Sequence, residues 1–125
     1  MLLVDTNVFI DFWNNPTEEI TKTFEKEDIA ICGVIRAELL HGAVSEKDFN
    51  EITTMLGAFD ELSIGHADWQ LLGEYLYKLR KNGVSVPLSD AVIAMVAIKY
   101  DVAVWTKDKH FTLIQAVLPS LRIYS

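Results

Sequence analysis

A chain of 125 residues, half of them hydrophobic and 23% charged, has room for one domain with its own core and excludes a disordered tail or a two-domain enzyme. Its formal net charge of −7 argues against a basic nucleic-acid coat protein, although clustered carboxylates attract divalent cations that can in turn hold phosphate. The lone Cys32 permits no internal disulfide, no apolar run is long enough to cross a bilayer, and Asp5 interrupts an N-terminus without basic residues, so the chain reads as soluble and cytoplasmic.

Leu2-Leu3-Val4 is a short apolar run that ends on polar Asp5-Thr6-Asn7, the pattern of a buried strand entering a helix, here Val8 to Trp13. Asn14-Asn15-Pro16 breaks that helix. Thr17 caps a polar helix running to Glu27, and Ile29 to Cys32 is a second strand. Val34 to Val44 is a helix with Ile35 and Leu39 on one stripe. Ser45 begins the next, with Asp48 three residues on as in a capping box, and it runs to about Phe59. Leu62-Ser63-Ile64 is the candidate third strand. His66 to Lys81 spaces Trp69, Leu72, Leu76 and Leu79 along one helical face, and Asn82-Gly83 stops it. Ser89 to Tyr100 is so rich in Ala, Val and Ile that its helix is expected to be buried on most sides. Ala103 to Trp105 is a further strand, Thr106 to His110 a polar turn into a short helix, and Leu121 to Tyr124 a last strand.

Short apolar strands alternating with helices predict an α/β fold, a three-layer α/β/α sandwich with a mainly parallel sheet, formed by residues 1–125 as a single domain. Such sheets place their sites where strands run out into the following helices. Asp5 ends the first strand there, and Asp108 lies three residues beyond Trp105. Asp90 opens the buried helix after Pro87-Leu88-Ser89, and Glu38 sits within the helix that follows the second strand. Each acid taken singly has a plainer reading. Asp5 and Asp90 also suit helix caps, and Asp108 suits a turn. Glu38 is placed beside Ile35 and Gly42, flanking the buried stripe, where an acid calls for a partner or a metal.

Taken together the four segments resemble a known family. Asp5-Thr6-Asn7-Val8-Phe9-Ile10-Asp11 resembles the opening motif of PIN domains, and Ala37-Glu38-Leu39 their internal glutamate motif. Pro87-Leu88-Ser89-Asp90-Ala91-Val92-Ile93-Ala94 and Trp105-Thr106-Lys107-Asp108-Lys109-His110-Phe111 resemble the third and fourth acidic motifs. Order and spacing fit along essentially the whole chain, and length and compactness are most like VapC-type toxins of toxin–antitoxin pairs. The resemblance implies that Asp5, Glu38, Asp90 and Asp108 are the catalytic and metal-binding acids, with Thr106 and Asn7 supporting them. Lys107 departs from the Asn or Arg common at its position. It implies a sheet ordered 3-2-1-4-5 with Leu2 to Val4 at its centre. It further implies a metal-dependent endoribonuclease acting on RNA, a homodimer, and a separate antitoxin as partner.

All-oxygen ligation suits a hard cation, Mg²⁺ or Mn²⁺, which can activate water and stabilise the leaving oxygen of a phosphodiester. Four packed carboxylates would otherwise repel one another and hold their protons more tightly. Rival patterns are weaker. Glu38 and His41 make one Glu-x-x-His, where a di-iron bundle needs two. His110 can donate a proton, but a histidine in such a position is more often a turn residue. Cys32 has no zinc-spaced partner and reads as a core thiol. The cluster Lys78, Arg80 and Lys81 suits a solvated helix end as well as an RNA backbone. A receiver-like signalling domain needs paired acids after its first strand, and a haloacid-dehalogenase-like phosphatase needs a second Asp where this chain has Asn7. A catalytically silent PIN fold that only binds partners is the remaining alternative. Phe9, Phe12 and Trp13 crowd the first helix, which suits either internal packing or an interface.

Overall fold

A computed structural model describes residues 1–125 and resolves them into four strands and seven helices. Strand β1 (Leu2–Val4) is followed by α1 (Thr6–Asn14), α2 (Glu18–Lys26), β2 (Ile29–Ile31), α3 (Gly33–His41) and α4 (Glu46–Leu56). Strand β3 (Asp60–Glu61), α5 (Asp68–Lys81), α6 (Leu88–Tyr100), β4 (Ala103–Trp105) and α7 (His110–Val117) complete the order. The strands pair in the order β3-β2-β1-β4, all parallel, with Leu2 opposite Ile29 on one side and Ala103 on the other. Successive strand residues point to opposite faces, yet every residue of β1 and β2 is buried. Both faces of the sheet are therefore covered, as a parallel sheet requires, and the layers are helix, sheet, helix.

The expected order 3-2-1-4-5 holds for four strands. The fifth, expected at Leu121 to Tyr124, shrinks to one parallel bridge between Ile123 and Val104. Its first residue is spent on a turn, with the Leu121 N–H on the Leu118 carbonyl and the Leu121 side chain in the core. Only two hydrogen bonds then remain at the edge, from the Val104 N–H to Arg122 and from the Tyr124 N–H to Val104. Strand β3 also departs from expectation. It pairs through exposed Asp60 and Glu61 rather than through the apolar Leu62 to Ile64, of which only the Leu62 N–H still reaches the Ile31 carbonyl.

Helix termini follow their capping chemistry. The Thr17 hydroxyl accepts from the Ile20 N–H and the Ser45 hydroxyl from the Asp48 N–H. The Asp48 carboxylate turns back to accept from the Val44 N–H. Val44 therefore precedes α4 instead of ending α3, which closes at His41 with Gly42 as its cap. Gly83, with φ of 77°, turns the chain out of α5 in the left-handed region. Helix α6 is buried along Asp90 to Ala97 and packs on β4, α3, α5 and α7, which makes it the spine of one layer. It ends at Asp101 in a left-handed conformation, where Arg122 donates to the Asp101 carbonyl.

The crowded aromatics of α1 pack within the chain. Phe9 is fully buried against the rings of Phe24 and Phe59, and Phe12 stacks on Phe24 with centroids 4.1 Å apart. Trp13 lies 6.0 Å from Phe9. The apolar side chain that α1 does leave outside is Ile10. No helix is long and apolar enough to cross a membrane.

Candidate metal centre

Asp5 leaves the central strand as the residue that caps α1. Its Oδ1 accepts from the Thr6 N–H at 2.8 Å, so the plainer reading of a helix cap is correct as far as it goes. Its Oδ2, however, accepts from the Thr106 hydroxyl at 2.7 Å, across the sheet from the end of β4. The parallel pairing of β1 with β4 sets this meeting, since the Asp5 N–H also bonds the Trp105 carbonyl at 2.9 Å.

Thr106 ties two acids together. Besides donating to Asp5, its hydroxyl accepts from the Asp108 N–H at 2.9 Å, which curls the loop after β4 into a tight turn. Asp108 Oδ1 in turn accepts from the N–H of His110, the residue that opens α7. The His110 Nδ1 stands 2.8 Å from Asp90 Oδ2 and 3.2 Å from Asp108 Oδ1. A hydrogen-bonded chain thus runs from Asp5 through Thr106, Asp108 and His110 to Asp90, drawing on β1, β4, α6 and α7.

Asp90, Asp108 and His110 form a tight group, each offering a ligand atom within 4.8 Å of the others. Glu38 stands outside it. Its Oε1 accepts from the Thr6 hydroxyl at 2.9 Å, which holds it one residue from Asp5 at the rim. It flanks the buried stripe on its solvent side, and its partner is Thr6. On α3 it is Ile35 and Leu39 that turn inward. Asn7 supports the loop, accepting from the Lys107 N–H at 3.3 Å, while the Lys107 ammonium pairs with Asp11. Two participants were missed in the sequence. Thr6 stands in the sequence only as part of its motif, and His110 suits a turn residue there. The one local signal for His110 is its place two residues after Asp108.

Electrostatically the site is strained toward neutrality. Burial raises the Asp5 carboxyl above its ordinary range, the hydrogen bonds from Thr106 and Thr6 pull it back, and the Asp108 charge adds to the rise. Asp90 is raised as well, first by burial, with the Asp108 and Asp5 charges adding to it and the His110 hydrogen bond opposing. His110 is raised in return, chiefly by its hydrogen bond to Asp90. No lysine or arginine pairs with Asp5, Asp90 or Asp108. An apolar hollow of about 580 Å³ beside Cys32, Leu62 and Val92 is lined by none of these acids. Burial pushes the Cys32 thiol up to about 11, as befits a core thiol.

The PIN domain sequence profile matches residues 2–116, nearly the whole chain and every segment that builds this centre. The chain belongs to the PIN-domain family. Among curated relatives, this PIN domain is 22% identical to Ribonuclease VapC11 of Mycobacterium tuberculosis, over 94% of this chain and 93% of that one. Its fold is similar to that of a chain in the DNA-bound VapBC of Salmonella typhimurium, with a TM-score of 0.83 at 22% identity, covering 98% of this chain and 96% of the other. VapBC2 from Rickettsia felis, bound to a DNA fragment from its promoter, gives a TM-score of 0.82 at 19% identity, covering 98% and 96%. The expected α/β fold is therefore that of the PIN-domain family.

Proposed function

We propose that this PIN domain, acting as a single cytoplasmic domain, is a metal-dependent endoribonuclease and the toxin of a toxin–antitoxin pair. One observation carries the reading: Asp5 and Asp90 are buried at 5% and 8% exposure, each is raised further by the charge of Asp108, and neither has a lysine or arginine beside it. Hydrogen bonds from Thr6, Thr106 and His110 offset that burial only in part, since both carboxyls stay raised, and a divalent cation is the partner whose charge and oxygen preference fit them. Asp5, Glu38, Asp90 and Asp108 are the proposed ligands, and Mg²⁺ or Mn²⁺ the proposed ion.

Such an ion supplies a polarised phosphate oxygen and an activated water. The chain supplies position. Thr106 fixes the spacing of Asp5 and Asp108 through its one hydroxyl, Thr6 orients Glu38, and Asn7 with Lys107 braces the loop that carries Asp108. The kinship with VapC ribonucleases supports RNA as substrate and hydrolysis as reaction. Cleavage of a structured RNA by wild type and Asp5→Asn, each with and without EDTA, tests the proposal. Activity is expected only in the wild type without chelator, and equal activity in all four samples would defeat it.

We also propose an antitoxin partner and a homodimer. A groove of about 660 Å³ runs among α1, α3 and α4, lined by Ile10, Trp13, Val44 and Met55, and it opens onto Glu38. Val44 is 91% exposed, and the chain is acidic, so a basic segment with an apolar face suits this groove. The similar VapBC structures support a partner of that kind. Co-purification with the product of the neighbouring gene, followed by mass measurement, checks both. A monomer without a bound neighbour, harmless when expressed alone, would defeat the toxin reading and leave the nuclease reading standing.

A further inference from the structure

We propose that His110 is itself a ligand of the cation, making the centre a mixed nitrogen–oxygen site that prefers a first-row transition ion such as Mn²⁺ over Mg²⁺. The inference rests on the metal reading of the acids. Its ground is geometric. Ligand atoms on neighbouring corners of an octahedron with bonds of about 2.1 Å stand about 3 Å apart. His110 Nδ1 lies 2.8 Å from Asp90 Oδ2 and 3.2 Å from Asp108 Oδ1, the spacing of one shared corner with two others.

The imidazole is held there by the backbone. The His110 N–H is bound to Asp108 Oδ1, and Asp108 is bound through its own N–H to Thr106, so ring and carboxylate belong to one rigid turn. Nε2 makes no hydrogen bond within the chain, and the side chain is 40% exposed, which leaves that nitrogen free to carry its hydrogen toward solvent. With that hydrogen on Nε2, the Nδ1 lone pair would face the Asp90 and Asp108 oxygens, and the hydrogen that Nδ1 shares with Asp90 in the metal-free protein would leave to solvent in exchange for a metal–nitrogen bond. Nitrogen ligation adds affinity for first-row ions and little for Mg²⁺, which holds to oxygen.

The test loads the purified protein with Mn²⁺ alone and reads nitrogen hyperfine coupling by electron spin-echo spectroscopy. The wild type should show a histidine ¹⁴N coupling that persists in His41→Asn and disappears in His110→Asn, with circular dichroism confirming that each variant is folded. Competition between Mn²⁺ and Mg²⁺, followed by calorimetry, should show the preference for Mn²⁺ falling at least about tenfold in His110→Asn. Mn²⁺ bound by the wild type without nitrogen coupling, or coupling that survives in His110→Asn, overturns the ligand role and leaves the acidic site intact. Failure of the wild type to bind Mn²⁺ overturns both.

Discussion

At Asp5 two demands meet on one side chain. To hold the proposed cation the carboxylate would be ionised, yet it sits buried in a place that favours the neutral form. Asp5→Asn keeps the shape and removes the charge, so it should raise the melting temperature of the metal-free protein by a few degrees while abolishing cation binding. Differential scanning calorimetry in EDTA, paired with a metal titration, reads both effects. Thr106→Val makes the converse change. It removes the hydroxyl that donates to Asp5 and accepts from Asp108, stranding a buried acceptor, and should cost about 1–3 kcal/mol in urea unfolding along with most of the activity. Asp5, Asp90 and Asp108 were legible in the sequence because each lies just past a strand or at a helix start. Of their connectors, Thr106 is marked by the family resemblance and meets Asp5 because β1 and β4 pair, whereas Thr6 meets Glu38 only because α1 packs on α3, and His110 meets Asp90 only because α6 and α7 pack together. Glu38 lies at the solvent edge of the buried stripe, and the partner it calls for is Thr6, which no local pattern names.

Elements whose ends are set by local chemistry were read correctly, and those set by partners were not. The Thr17 and Ser45 caps, the Asn82-Gly83 stop and the bounds of β4 follow from neighbouring residues alone. Strand β3 and the bridge at Ile123 depend on where an adjacent strand offers free hydrogen bonds, which no local pattern encodes. Ser45→Ala removes the cap of α4 and should cost about 0.5–2 kcal/mol, measured by chemical denaturation. The end of α6 offers a gain. Asp101 is the one non-glycine residue with positive φ, at 53°, and Arg122 holds it there mainly through its backbone carbonyl. Asp101→Gly keeps that acceptor and removes the steric penalty of a side chain in the left-handed region. It should stabilise the protein by up to about 1 kcal/mol.

Summed over the molecule, the buried acids set an unusual response to pH. Asp5 and Asp90 have folded values above the ordinary 3.8, so their ionisation weighs against the fold above those values and is relieved as pH falls through them. His110 is raised above 6.5, so its contribution is complete below 6.5 and is lost as pH rises through the folded value. The two signs agree. Asp68, lowered by Lys99, opposes them only as pH falls below the ordinary carboxylate value. The metal-free protein should therefore lose stability as pH rises from 3.8 through the raised values of Asp5 and Asp90, and again as it rises from 6.5 through that of His110, and saturating Mn²⁺ should reverse the slope because ionised carboxylates bind it. Thermal melts across those values, with and without the ion, decide the matter. The pairing of β1 with β4 has a further consequence, for synthesis. The bond between Asp5 and Thr106 joins residues 101 apart in sequence, and Leu2 waits for Ala103 as its neighbour. A nascent chain that has delivered residues 1–100 from the ribosome holds Asp5, Glu38 and Asp90, but lacks Thr106, Asp108 and His110, which link Asp5 to Asp90. The cluster that joins Asp5 to Asp90 thus cannot assemble on the translating ribosome until residues 103–110 emerge.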